Sequence, residues 1–125
     1  MSAAGLGTRF WPVEIRLKGA DKALEIDFDD GRKFSLPAEY LRVESPSAEV
    51  KGHNPAERKI VPGRRHVGIL EIETVGNYAI RIKFDDLHDT GIYTWNYLYE
   101  LGEGYEARWS NYLSEVAARG LSRDP

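Results

Sequence analysis

LEIDFDDGRKFSLPAEYLR, residues 24–42, and IRIKFDDLHDTGIYTWNYLYE, residues 80–100, follow one plan. Each opens on alternating apolar residues, Leu24, Ile26, Phe28 and Ile80, Ile82, Phe84, the period-2 pattern of a half-buried strand. Each then turns at Phe-Asp-Asp, continues into a short extended stretch and ends in a short helical segment carrying Tyr-Leu, Tyr40-Leu41 and Tyr97-Leu98. In the first copy Asp29-Asp30-Gly31 is a turn signal, because glycine adopts the positive φ that such turns demand. The second copy makes the same turn with Leu87 and His88, so its two aspartates are explained by turn chemistry before any catalysis is invoked.

Working outward, Val13, Ile15 and Leu17 alternate with Glu14, Arg16 and Lys18, predicting a strand ahead of the first copy. Ahead of the second, Val67 and Ile69 pass to Leu70 and Ile72 with a slip of one residue, the mark of a β-bulge. Gly76-Asn77 then provides a tight turn. Pro37 suits the first turn of a helix over residues 38–42. A short helix is expected over 93–101. A longer amphipathic one starts near Tyr105, with Trp109, Tyr112, Leu113 and Val116 on one face and Gly120 as its stop. The predicted class is α+β: a twisted antiparallel sheet of two related β-hairpin/short-helix units with the C-terminal helix packed on it. Residues 1–10 read as a flexible tail, 11–120 as a single domain and 121–125 as a C-terminal tail.

With 125 residues, 42% of them hydrophobic and 30% charged, the chain suits one globular domain. It has no cysteine, which removes disulfides, thiolate metal sites and thiol nucleophiles. A net charge of −3 argues against a nucleic-acid binder. Seven of the 14 aromatics fall between Tyr93 and Tyr112, but among acidic neighbours that repel phosphate, so they read as core. No run is long and apolar enough for a membrane span or a secretory leader, and a cytoplasmic location is the default expectation.

Residues 45–65 keep no sustained period and contain three of the six prolines, so they form a long loop, with a brief strand expected near 59–61. From Lys51 onward the loop is basic: Lys51, Arg58, Lys59, Arg64 and Arg65 face Glu57 alone. His53 and His66 flank it without metal-ligand spacing. No nucleophile elbow or phosphate-cradling glycine loop is present, and the iron-binding triad of oxygenases is missing.

The stretches 31–50, 75–80 and 84–98 resemble a small bacterial domain of unknown function related to the N-terminal domain of gamma-butyrobetaine hydroxylase. In the hydroxylases this domain is separate from the catalytic barrel. The resemblance implies a structural zinc site with three cysteines shortly after a Leu-Arg pair and one later histidine. Here Leu41-Arg42 is in place, the three thiol positions fall on Ser45, Ser47 and Val50, and the fourth falls on His88. Serine hydroxyls stay protonated near neutrality and valine has no donor atom, so the expectation is a degenerate site with no metal and no cofactor. His88 is then a turn residue, a remnant ligand or a small-ligand contact.

The resemblance is to an accessory domain without its catalytic partner, which implies a non-catalytic module acting on a protein partner or by self-association. Related domains fused to iron–sulfur carrier proteins add the cluster-assembly machinery as an implied partner. The alternative is a small anionic ligand held between the 45–65 loop and the His88 turn. Candidate contacts in either case are His88, Asp86, Asp89, Ser45, Ser47, Arg42, Arg64 and Arg65. Acid/base work by His88 with Asp86 is the remaining, enzymatic alternative.

Overall fold

The computed structural model describes residues 8–20, 22–52 and 58–125. In chain order the elements are β1 (Pro12–Lys18), β2 (Ala23–Phe28), β3 (Lys33–Pro37), α1 (Ala38–Val43), α2 (Ala48–Lys51), β4 (Ile69–Val75), β5 (Ala79–Phe84), β6 (Ile92–Thr94), α3 (Trp95–Glu103) and α4 (Tyr105–Ala118). The class is α+β, and each repeated unit carries its own antiparallel three-stranded sheet, β1-β2-β3 and β4-β5-β6.

The central strands bury the same positions: Ala23, Leu24, Ile26 and Phe28 on β2, and Ala79, Ile80, Ile82 and Phe84 on β5. The larger of these, Leu24, Ile26, Phe28, Ile80, Ile82 and Phe84, meet in one apolar cluster with Leu36, Tyr40 and Leu41 of the first unit and Tyr93, Leu98 and Leu101 of the second. At 1.5–3 kcal/mol or so for each fully buried large side chain, this shared core dominates the stability. The expected bulge is present on β4, where the register slips between Ile69 and Glu71 and leaves Leu70 unpaired. A matching slip on β1, between Pro12 and Glu14, leaves out Val13.

The two units agree bond by bond. The amide of Phe28 donates to the Arg32 carbonyl at 2.8 Å, and that of Phe84 to the His88 carbonyl at 3.0 Å. The Arg32 amide donates to Asp30 Oδ1 at 2.9 Å, and the His88 amide to Asp86 Oδ1 at 3.1 Å. Across the core the relation is reciprocal. The Tyr40 hydroxyl donates to the Leu101 carbonyl, the Tyr97 hydroxyl donates to the Glu44 carbonyl, and both bonds measure 2.6 Å. The residue after each Tyr-Leu then reaches the other unit's turn: Tyr99 donates to Asp30 Oδ2 at 2.6 Å and Arg42 to Asp86 Oδ2 at 2.8 Å. Each unit therefore completes the other through an approximate internal twofold.

Three local expectations are revised. Ile92-Tyr93-Thr94 pairs with β5 as a strand, because its β-branched and aromatic residues suit the pleat, and the helix starts at Trp95 under a Thr94 cap that accepts from the Tyr97 amide at 3.1 Å. No strand forms over 59–61; the Lys59 amide instead donates to the Val50 carbonyl at 2.7 Å. A short helix, α2, interrupts the long loop, with Ser47 Oγ accepting from the Glu49 amide at 3.2 Å.

The C-terminal helix meets the core through Tyr105 and Trp109, whose rings lie edge-on to Tyr40. It meets loop residues Ile60 and Val61 through Tyr112 and Val116, while Leu113 stays 38% exposed at the rim. Beyond it the chain is anchored. The Ser122 and Arg123 carbonyls accept from the Gly63 and Arg65 amides at 2.9 and 3.0 Å, and Arg123 makes a two-pronged ion pair with Glu39. Of the expected N-terminal tail, residues 1–7 lie outside the described residues, but the Phe10 ring stacks on Tyr99 at 3.7 Å. His53 also lies outside them. Among the described residues no helix is long and apolar enough to cross a membrane.

Candidate functional site

Fully buried α1 presents Arg42, the chain from Glu44 leads through Ser45 and Ser47 into α2, and the second unit's turn delivers Asp86 and His88 to the same place. His88 is 7% exposed and engaged at both ring nitrogens: Nε2 lies 2.9 Å from Ser45 Oγ, and Nδ1 lies 3.2 Å from Glu49 Oε2. A carboxylate only accepts, so the proton sits on Nδ1, and Nε2 accepts from the Ser45 hydroxyl. Burial, with the Arg42 charge next, outweighs Glu49 and Asp86 and lowers the His88 pKa below its ordinary value. The imidazole is therefore neutral at pH 7.

Asp86 is saturated. Its Oδ1 accepts the His88 amide, and its Oδ2 accepts Nε of Arg42 at 2.8 Å and Nε of Arg64 at 2.7 Å. Burial would raise its pKa, but the His88 amide and the two guanidiniums prevail and hold it below the usual carboxylate value. Two arginines thus share one carboxylate oxygen. Arg42 is 8% exposed, and its Nη1 is buried with no partner among the described residues. Leaving a buried charged donor unpaired costs more than leaving a neutral one, on the order of 1–3 kcal/mol or above.

A cleft of about 410 Å³ opens beside these groups. Its charged lining comes from Arg42, Arg64, Lys59 and Glu49, with neutral His88 beside them; its apolar lining comes from Val50, Ile60, Val61 and Pro62. Ser45 and Ser47 stand behind it as a hydroxyl network, with the Ser47 amide donating to Ser45 Oγ at 3.3 Å and Ser47 Oγ 2.7 Å from Thr90 Oγ1. Gly91 leaves room for that network, since a Cβ there would lie 2.6 Å from Ser45 Oγ.

Of the residues predicted from sequence, Arg42, Ser45, Ser47, Arg64, Asp86 and His88 come together. Asp89 is exposed and does not line the cleft, and Arg65 pairs with Asp124 at 2.5 Å instead. Glu49 and Gly91 were not singled out, and Lys59 was marked only as one of the basic residues of the loop. Glu49 carried no local signal, because its helix has four residues, too few to show a period, and its Ser47 cap reads equally well as a loop serine.

The order Ser45, His88, Glu49 is that of a hydrolase relay. However, Ser45 is wholly buried and absent from the cleft lining, so no substrate carbonyl reaches its hydroxyl. Zinc fits no better. Both His88 nitrogens are taken, Val50 offers no donor, and among the described residues no group of three or more His, Cys, Asp or Glu is placed to hold a metal ion. What remains is a closed polar network beside an open, positively biased cleft.

Residues 15–99 match the family described as gamma-butyrobetaine hydroxylase-like, N-terminal. No curated protein matches the chain. Two proteins with NMR solution structures are similar throughout. One is 44% identical with a TM-score of 0.82, the match covering 94% of this chain and 93% of that one. The other is 42% identical with a TM-score of 0.82, covering 100% and 92%. A protein of unknown function in the DUF971 family from Acidithiobacillus ferrooxidans ATCC 23270, solved by crystallography, is 41% identical with a TM-score of 0.62 over 73% of this chain and 91% of that one. The matched residues span both units and the cleft between them, and the chain belongs to the gamma-butyrobetaine hydroxylase-like N-terminal family.

Proposed function

We propose that this domain is a non-catalytic binding module that takes an anionic group in the cleft beside Arg42. The observation that carries the reading is the charge imbalance at Asp86. One carboxylate oxygen serves two guanidiniums, and both hydrogens of the buried Arg42 Nη1 are without a partner among the described residues. A guanidinium short of a partner next to a cleft is a ready receptor for a carboxylate or phosphate oxygen. The buried Ser45 and the neutral, doubly bonded His88 support a holding role over proton transfer or nucleophilic attack. The test is a titration of the full chain with sodium acetate and sodium phosphate, followed by backbone amide NMR. Saturable shifts at residues 42, 59–61, 63, 64 and 88 are expected. Uniform small shifts over all basic residues, or none, would remove the proposal.

A protein partner, the iron–sulfur assembly machinery implied by the resemblance included, is the second reading. Its support is apolar exposure outside the cleft, where the bulge residues Val13 and Leu70 are 70% and 63% exposed and Leu87 is 83% exposed. Chromatography at rising concentration, with Leu70→Asp and Leu87→Asp as controls, tests self-association through these exposed side chains.

A further inference from the structure

From the lining of the cleft we infer that its ligand is a monocarboxylate with a small apolar body, and not a phosphate or an inorganic anion. This rests on the anion-binding reading above and specifies what that site selects. Charge comes first. Arg42, Arg64 and Lys59 bring three positive charges to the site, and Asp86 and Glu49 return two negative ones, with His88 neutral. The residual charge matches one negative charge. A phosphate monoester carries about −1.5 to −2 at pH 7, which would overfill the site and bring that charge towards Glu49.

Shape and solvation point the same way. Ile60, Val61 and Pro62 run consecutively along the lining, and Val50, itself only 3% exposed, adds to them. Ile60 and Val61 are held in position by packing on Val43, Tyr112 and Val116, so this apolar strip is a fixed surface. A site for a bare anion has no use for it. About 410 Å³ lies within the usual range for small-molecule sites, and apolar lining with a few placed polar groups is their usual make-up. The carboxylate would meet the guanidinium side and a branched or aromatic body would cover the aliphatic strip.

The experiment is a calorimetric and NMR titration of the full chain with four probes: sodium acetate, sodium phosphate, 4-methylpentanoate and leucine. The expected order places 4-methylpentanoate at least tenfold tighter than acetate and phosphate, with leucine weaker because its ammonium cancels the net charge. Ile60→Ser should weaken 4-methylpentanoate far more than acetate and so remove the advantage of the longer acid. Arg42→Gln should weaken every anion, and Lys59→Gln, a surface change that spares the fold, should weaken them severalfold. Phosphate or acetate binding as tightly as 4-methylpentanoate would overturn the inference while leaving the anion site standing. Failure of all four probes to bind would overturn both.

Discussion

The turn at Phe28–Arg32 and the turn at Phe84–His88 share a backbone and differ in what closes them. In the first, exposed Asp30 accepts one hydrogen bond from the Tyr99 phenol, a neutral donor, and the position of positive φ is a glycine, Gly31 at +90°. In the second, Asp86 accepts two guanidiniums, and the equivalent positive φ, +74°, belongs to Leu87. The second copy also has one more residue between the phenylalanine of its turn and its short helix, in the stretch that contains Gly91. The first turn is closed and electrically quiet, while the second is closed around a surplus of positive charge beside a cleft. The two units share one backbone frame, and a few side chains, Arg42 and Arg64 on Asp86 above all, give the second turn its different charge.

Removing the carboxylate from each turn tests that difference most strongly. Asp86→Ala leaves Arg42 buried without its counterion and should cost about 3–5 kcal/mol in chemical denaturation, whereas Asp30→Ala, at an exposed carboxylate that loses its bonds from the Tyr99 hydroxyl and the Arg32 amide, should cost distinctly less. Equal losses would mean that the two turns are energetically the same. The next effect is Gly91→Ala, where the added methyl meets Ser45 Oγ at 2.6 Å. Overpacking of this kind costs about 1–3 kcal/mol, and the His88 ring resonances should move as the Ser45 bond breaks. Unchanged resonances would show that the hydroxyl network tolerates a side chain there.

Leu87→Gly would make the second turn resemble the first. Relief of the left-handed backbone, set against glycine's greater freedom in the unfolded chain, should raise stability by at most about 1 kcal/mol. A loss on substitution would show that the exposed leucine already has packing of its own. The gentlest contrast is with pH. The His88 pKa is lowered in the folded state, so below the ordinary value of 6.5 the unfolded chain binds more protons. Stability should therefore fall as the pH drops through and below that value, and His88→Gln should flatten this part of the profile. An unchanged slope in the variant would assign the acid sensitivity elsewhere.

The repeated strands, turns and helices were legible because alternation and the Phe-Asp-Asp turn are local signals, and Leu24–Phe28 and Ile80–Phe84 are buried as their pattern implied. The short helix at Ala48–Lys51 was not, since four residues carry no period and its N-cap, Ser47, reads equally well as a loop residue. In the site, the proximity of Arg42, Ser45 and His88 was readable through the resemblance. Glu49 and Lys59 enter only through the path of the loop, which no periodicity encodes. The sharing of Asp86 by two arginines depends on a contact between units more than 40 residues apart in the chain, and a pattern read along one strand or helix does not reach that far.

The reciprocal bonding of the two units also bears on how the chain is made. As synthesis proceeds from the N-terminus, β1, β2, β3 and α1 emerge without Leu101 to receive the Tyr40 hydroxyl and without Tyr99 to close the Asp30 turn. A nascent half with its apolar face uncovered must wait for the remainder of the chain, so productive folding is expected to be a late event on the ribosome, completed when α3 is released.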